Sequence, residues 1–137
     1  MTLLERLIHT EKEVIKIDKI KIGNYIKILE MKNEPQYTGK IGKTLFIDDN
    51  NQIHGTWGGC ALIPEVDKFE VLPKERNRLF KACEKYETSL AGMNMLVDYY
   101  IESLKWSEKE SIDYAISLFH NGTIRQIKLL SKDGKEL

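Results

Sequence analysis

The stretch IKIGNYIKIL, residues 20–29, alternates isoleucine with lysine on both sides of the turn-forming pair Gly23-Asn24. A period of two is typical of a β-strand, because successive side chains point to opposite faces of a sheet. The alternation begins as early as Val14, where Ile15 and Ile17 flank Lys16. We therefore expect extended structure over residues 14–29.

Four shorter extended segments follow, each bounded by turn-forming residues. The polar run Asp48-Asp49-Asn50-Asn51 favours a hairpin turn between the first two, and Pro64 separates the last two. An open sheet of five such strands would leave two edges of unpaired backbone groups, so we expect a small SH3-like β-barrel over residues 20–73. The four segments are 41–47, 53–57, 60–63 and 68–72.

A helical period replaces the alternation after Pro73. Apolar residues three and four apart predict an amphipathic helix at about 75–105, in which Gly92 marks an interruption or a close helix contact. Ser107 and Glu110 form a capping box for a second helix at about 108–120, and Asn121-Gly122 can end it. We expect the helices to share a core of Leu79, Leu96, Val97, Tyr100, Ile112, Ile116 and Phe119.

The two ends of the chain carry weaker patterns. Thr2 and Glu5 form a capping box ahead of apolar residues at helical spacing, which predicts a short helix at about 2–12. In the tail 123–137, Thr123 and Gln126 could cap a further helix, whereas the turn at 132–134 favours a strand or hairpin, which we prefer. The chain is thus expected to be α+β, with parts at 1–19, 20–73 and 74–137.

The overall composition excludes several classes of protein. Lys plus Arg equals Asp plus Glu at 21 each, so no global field attracts nucleic acid. The apolar runs are too short to span a bilayer and the N-terminus lacks a signal-peptide pattern, so we expect a cytoplasmic protein. Cys60 and Cys83 form no Cys-x-x-Cys pair and fit neither a disulfide scaffold nor a zinc site.

Candidate catalytic chemistry is sparse. Cys60 lies near His54 in the sequence, but a reactive thiol needs a base within hydrogen-bond reach and a third orienting group, so packing is the simpler explanation. His9, His54 and His120 have no Cys, His or carboxylate at metal-ligand spacing. We therefore predict no catalytic residue, no metal site, no cofactor and no enzymatic activity.

Four short motifs occur in a recognisable order: residues 22–28, 38–43 and 52–57, then Leu-Ile-Pro at 62–64 with Asp-Lys-Phe at 67–69. This order resembles an uncharacterised domain family of phages, plasmids and conjugative elements, itself similar to KOW and other SH3-like barrels. The resemblance covers residues 20–73. It implies glycines at the barrel corners, Trp57 filling or flanking the core, and a mobile-element setting, but it brings no catalytic residues.

A stripe of basic residues follows Pro73 at helical spacing. Such a stripe is either an ordinary solvated helix face or a track for phosphate groups, and Glu75 and Glu84 dilute its charge. We call it the basic stripe. Its members are Lys74, Arg78, Lys81 and Lys85, with Arg76 as a fifth charge.

Aromatic residues are the other candidates for binding. On a barrel surface they could stack on bases or grip a peptide, although core packing is the simpler role. The same alternative applies to Met93, Met95, Tyr99 and Tyr100 on the helices, which form either an adaptable partner surface or core. The barrel candidates are Tyr25, Tyr37, Phe46 and Trp57.

These features lead to two functional hypotheses. The first is an accessory protein of a mobile element that binds a host or element protein stoichiometrically, for example to inhibit a CRISPR or restriction nuclease in counter-defence. The second is an RNA- or DNA-binding protein that uses the barrel and the basic stripe. The apolar helix faces must meet the barrel, each other or a second copy of the chain, so a homodimer stays open.

Overall fold

A computed structural model describes residues 20–124, 128–130 and 136–137. The N-terminal helix and lead-in strand expected within 1–19 lie outside the described residues. Of the tail, Leu130 and Glu136 form a single antiparallel bridge, which agrees with the expected hairpin. In the described part of the chain, no helix combines the length and the apolar character needed to cross a membrane.

Four antiparallel strands form one sheet in the order β3-β2-β1-β4. Tyr25 and Ile26 on β1 pair with Lys43 and Gly42 on β2, while Ile28 pairs with Phe69 on β4. The strand predicted from the opening alternation is therefore central in the sheet. The strands are β1 Tyr25–Glu30, β2 Ile41–Ile47, β3 Ile53–Gly55 and β4 Lys68–Val71.

The sheet is open, whereas the sequence predicted a closed barrel over 20–73. The expected strand at 60–63 is reduced to one bridge, between Leu62 and Ile53 on β3. Pro64 then supplies no backbone N–H, and the chain turns so that Asp67 N–H donates to the carbonyl of Ile63. The buried Asp67 carboxylate accepts from the N–H groups of Ile63 at 2.7 Å and Lys32 at 2.9 Å. A side chain thus spans the gap where barrel closure requires strand pairing.

Both faces of the sheet cover a hydrophobic core. Ile26 and Ile28 project to one face and pack with Trp57, Leu62 and other residues of the β region. Tyr25 and Ile41 belong to the other core, which is formed mainly by the helices. Burial on both faces agrees with the run of buried residues Tyr25, Ile26 and Ile28 in β1, which only the half-buried Lys27 interrupts.

Three helices follow the sheet, where the sequence predicted two. A 3-10 turn at Lys74–Arg76 leads into α1, Asn77–Lys85; α2 spans Leu90–Glu102 and α3 spans Glu108–His120. The long helix expected at 75–105 breaks after Tyr86, where Glu87 adopts a left-handed conformation with φ of 53°. Ser89 then caps α2 by accepting a 2.9 Å hydrogen bond from Gly92 N–H. Gly92 itself is buried within α2, so the interruption precedes it.

The helix predicted at about 108–120 is confirmed, together with both of its caps. Ser107 caps α3 by accepting from Glu110 N–H at 3.1 Å, and the helix ends at Asn121 with Gly122 in the left-handed region. Of the expected core, Leu96 and Ile116 are half-buried and pack against the rest. The remaining five are buried: Leu79, Val97, Tyr100, Ile112 and Phe119.

Candidate interaction surfaces

Two of the four candidate aromatic residues are core residues. Tyr25 is buried between the sheet and α1, where its hydroxyl donates to Glu84 Oε1 at 2.7 Å. Burial and the Glu84 carboxylate raise the pKa of Tyr25. Trp57 is buried in the other core and its Nε1 donates to the Cys60 carbonyl at 2.9 Å. Both rings are buried, which agrees with the simpler role of core packing and does not support the binding role predicted for them.

Tyr37 is half-buried at the edge of the β-side core. Gly58 lies so close that a Cβ on it would be 2.4 Å from the Tyr37 ring, and Lys40 Nζ is 5.1 Å from the ring centroid. The ring is therefore covered on more than one side, and any contact with a partner would use only its edge.

Phe46 is the candidate aromatic residue that the structure leaves open to solvent. Thr44 pairs with Gly55 and Phe46 pairs with His54, so a β-bulge at Leu45 interrupts the register of β2 and β3. As a result, the side chains of Leu45 and Phe46 are 48% and 49% exposed, and Ile47 beside them is also exposed. We call Leu45, Phe46 and Ile47 the hairpin patch.

Polar contacts hold the hairpin patch in place. The Phe46 ring stacks on His54 with centroids 4.3 Å apart and planes 7° from parallel. His54 Nε2 lies 2.8 Å from Asp48 Oδ2, and Asp48 Oδ1 accepts from the N–H groups of Asn50 and Gln52. The hydrogen bond to His54 is the main reason that the pKa of Asp48 is lowered. The exposed ring of Phe46 therefore packs on His54, and the hydrogen bond to Asp48 fixes the position of His54.

The basic stripe is exposed as predicted, except at Arg76. Lys74, Arg78, Lys81 and Lys85 lie on the surface, whereas Arg76 is only 7% exposed. Arg76 lies two positions from both Lys74 and Arg78, and residues at that spacing do not share a helix face, so its side chain is directed at Asp98 and Glu108 instead. Arg76 therefore does not share the exposed face of the basic stripe, and the burial of its side chain does not support the binding role predicted for it.

Carboxylates surround Arg76 and also reach the stripe. Arg76 Nη1 is 2.7 Å from Asp98 Oδ1, and Arg76 Nε is 2.7 Å from Glu108 Oε1. Burial opposes the charge of Arg76, but the bonds to Glu108 and Asp98 outweigh it and raise the pKa. Asp113 pairs with Arg78 and with Lys109, and these bonds lower the pKa of Asp113.

These ion pairs lie in or beside a cleft between helices α1 and α3. The cleft has a volume of about 720 Å³ and is lined by both signs of charge. Four cations, Lys74, Arg78, Lys81 and Lys109, face three carboxylates, Glu75, Glu108 and Asp113. Within the described ranges, Lys74, Lys81 and Lys85 make no ion pair.

A third surface was missed by the sequence analysis. A groove of about 570 Å³ lies between the start of β2, the middle of β1 and helix α2; we call it the sheet–helix groove. One signal could have indicated it, because Asn94 interrupts an otherwise apolar stretch of α2. The groove is lined mainly by Pro35, Ile41, Ala91, Met95, Leu129, Leu130 and Leu137, with Lys27, Thr38, Asn94 and Asp98 as polar groups.

The residues considered for catalysis have other partners. His54 bonds to Asp48, Cys60 is half-buried beside Trp57, and Cys83 is buried in the helical core. Burial, with a smaller contribution from Glu84, raises the pKa of Cys83 to about 12. Over residues 20–124 and the described parts of the tail, no group of three or more His, Cys, Asp and Glu side chains is placed to hold a metal ion.

Comparison of the chain with protein-family models, with curated proteins and with solved structures finds no match. The fold is a four-stranded antiparallel sheet followed by three helices. The resemblance of residues 20–73 to the mobile-element family therefore stays a prediction.

Proposed function

We propose that this protein is a non-catalytic binding protein that docks a protein partner stoichiometrically through the hairpin patch. The observation that supports the proposal is the row of three exposed apolar side chains at Leu45, Phe46 and Ile47. Contiguous apolar exposure of this kind marks interaction sites, and a partly exposed aromatic ring is the usual energetic centre of such a site.

The rigidity of the hairpin favours binding. Phe46 is held by its stack on His54, and His54 is held by Asp48, so little side-chain entropy is lost when a partner covers the ring. The bulge at Leu45 bends the strand and places two consecutive apolar residues on the surface, where a regular strand would turn one inward. A partner with an apolar pocket and a polar rim fits this surface.

The biological setting is a further part of the proposal and depends on the sequence resemblance. The protein would be a cytoplasmic accessory protein of a phage, plasmid or conjugative element, and its partner a host or element protein. A defence nuclease of the CRISPR or restriction type is the specific candidate. The strand order, extended by the Leu62 bridge next to β3, supports a distant relation to SH3-like barrels.

Nucleic-acid binding is the alternative, and the exposed Lys74, Lys81 and Lys85 support it. The ion pairs of Arg76 and Arg78 count against it, because an arginine already paired with a carboxylate gains less from a phosphate. The hairpin patch has no such competitor, so protein binding is the better-supported function.

The test is quantitative capture of purified candidate nucleases by the tagged protein. We expect Phe46→Ser to weaken capture at least about tenfold, as loss of an aromatic anchor does. Tyr99→Ser is the matched control, because Tyr99 is an exposed aromatic residue on α2, away from the hairpin. Circular dichroism would confirm that both variants are folded.

Two results would contradict the proposal. One is capture that survives Phe46→Ser but is lost in Tyr99→Ser, which would move the binding surface to the helices. The other is a dimer in sedimentation analysis that Phe46→Ser dissociates, which would make a second copy of the chain the occupant of the hairpin patch.

A further inference from the structure

The sheet–helix groove combines an apolar lining with two side-chain donors, on Asn94 and Lys27, for which no described residue is an acceptor. We propose that it binds a small, mostly apolar carboxylate, whose carboxylate group is recognised by Asn94 and Lys27 and whose hydrocarbon part lies against Ile41 and Met95. This site is separate from the hairpin patch, since the groove meets β2 at its start and the patch lies at its end.

Size and lining define the class of ligand. A volume of about 570 Å³ lies within the range of pockets that enclose small molecules. Three separate parts of the chain contribute apolar side chains, including Ile41 from β2, Ala91 from α2 and Leu130 from the tail. Such a lining favours a hydrocarbon chain or ring over a polar ligand.

Asn94 provides the first hydrogen-bond donor for the carboxylate group of the ligand. Its side chain is only 4% exposed, and its Oδ1 accepts a hydrogen bond from Arg76 Nη1. Arginine has no acceptor, so this bond fixes the amide with its oxygen toward Arg76. The Nδ2 group is then a donor beside the groove, and no described residue accepts from it. Since Nδ2 is not among the buried unsatisfied atoms, it keeps access to the groove, where a ligand oxygen could accept from it.

The charged side chains of the groove are the second reason to expect a carboxylate ligand. The Asp98 carboxylate on the groove is paired with Arg76 at 2.7 Å, and Arg76 shares its charge with Glu108. Lys27 lines the groove and makes no ion pair with a described residue, although Glu70 stands opposite it on β4. Lys27 is therefore a cation on the groove without a carboxylate partner among the described residues, and it complements an anionic head group rather than a cation or a neutral alcohol.

Decanoate and decanol are the probes, because they share a hydrocarbon chain and differ in the head group. Calorimetry and amide chemical shifts of the full chain would measure both. We expect saturable one-to-one binding of decanoate, with shifts at Ala91 and Met95, and at least about tenfold weaker binding of decanol.

Two substitutions test the donors. Asn94→Asp keeps an acceptor for Arg76 but replaces the Nδ2 donor by a second oxygen, so decanoate affinity should fall at least about tenfold. Lys27→Gln should also weaken decanoate binding and leave decanol unchanged. Lys32→Gln, at an exposed lysine that does not line the groove, is the control and should have no effect.

Three outcomes would overturn the inference. The first is the absence of saturable shifts up to about 1 mM decanoate, and the second is equal binding of decanoate and decanol by the unmodified protein. The third is binding of a leucine-ended peptide in the groove without binding of decanoate. If Asn94→Asp does not fold, the Lys27→Gln variant and the comparison of the two probes still decide the question.

Discussion

Arg76 Nε donates to Glu108 Oε1 at 2.7 Å, and this bond ties the 3-10 turn after the sheet to the first residue of α3. Arg76 also reaches Asn94 and Asp98 on α2. One buried guanidinium thus links three separate elements. Its role is to hold the helices against the sheet, although in the sequence it looks like one charge among several on a basic helix.

Replacing Arg76 by alanine should therefore be strongly destabilising. The change leaves Asn94 buried without its donor and two partly exposed carboxylates without a counter-charge, at a cost of about 2–3 kcal/mol. Urea unfolding would measure it. Arg78→Ala, which removes an exposed ion pair with Asp113, should cost less than about 1 kcal/mol. Equal losses in the two variants would contradict the assignment of Arg76 to the core.

Thr44 carries a buried hydroxyl that has no hydrogen-bond partner among the described residues. Thr44→Val keeps the shape and removes the unsatisfied group, so it should stabilise the fold by about 1 kcal/mol, visible as a higher melting temperature. Thr56→Val is the matched control. The Thr56 hydroxyl accepts from Lys43 N–H at 2.8 Å, so the same substitution there should destabilise. A lower melting temperature for Thr44→Val would refute this account of the site.

Gly55 gives room to the Trp57 ring. A Cβ at Gly55 would lie 2.1 Å from Trp57 Cζ3, and Trp57 is buried and bonded to the Cys60 carbonyl. Gly55→Ala should therefore cost about 1–3 kcal/mol by overpacking. Gly59→Ala, at a position where a Cβ meets nothing within 4 Å, should leave the melting temperature unchanged. The prediction fails if the two alanine variants are equally stable.

Cys83 should make stability depend on alkaline pH. Burial raises its pKa from the ordinary 9.0 to about 12, so the folded state binds the thiol proton more tightly than the unfolded state. The resulting stabilisation is complete below pH 9 and is lost as the pH rises from 9 toward 12. Tyr25, whose pKa is also raised, acts in the same direction.

The contribution of the thiol can be isolated with Cys83→Val. The free energy of unfolding of this variant should fall less between about pH 8.5 and pH 10.5 than that of the unmodified protein. Val97→Ala is the control, because Val97 lies in the same helical core and does not titrate, so this change should lower the free energy of unfolding by a similar amount at both pH values. Identical pH profiles for Cys83→Val and the unmodified protein would show that the buried thiol is not the cause of the pH dependence of stability.

The salt dependence of nucleic-acid binding separates the two functional hypotheses. A stripe of five free cations would give a slope of log affinity against log salt of about −4.5, whereas three free lysines limit it to about −2.7. We expect a slope no steeper than the second value, and its loss in the variant with Lys81→Glu and Lys85→Glu. A slope near −4.5 in titrations with double-stranded DNA would restore the nucleic-acid function as the leading one.

Part of the candidate site could be predicted from sequence. Phe46 was among the candidate aromatic residues, and the exposure of four of the five basic residues followed from their helical spacing. The sheet–helix groove could not be predicted, because Lys27, Ile41 and Asn94 meet only when α2 packs on the sheet. No local pattern links positions so far apart in the chain.

The sequence by itself determined the local structure of this protein. The period of two in β1, the spacing of Leu79 and Cys83 on α1, and the cap at Ser107 are effects of neighbouring residues on one backbone. The tertiary structure alone decided which of these side chains face solvent. Tyr25 is buried because Glu84, 59 positions away, accepts its hydroxyl, and Arg76 is buried because α2 and α3 bring three polar partners to it. Whether a side chain is buried depends on which distant segments pack on it, and an amphipathic pattern does not show which segments those will be.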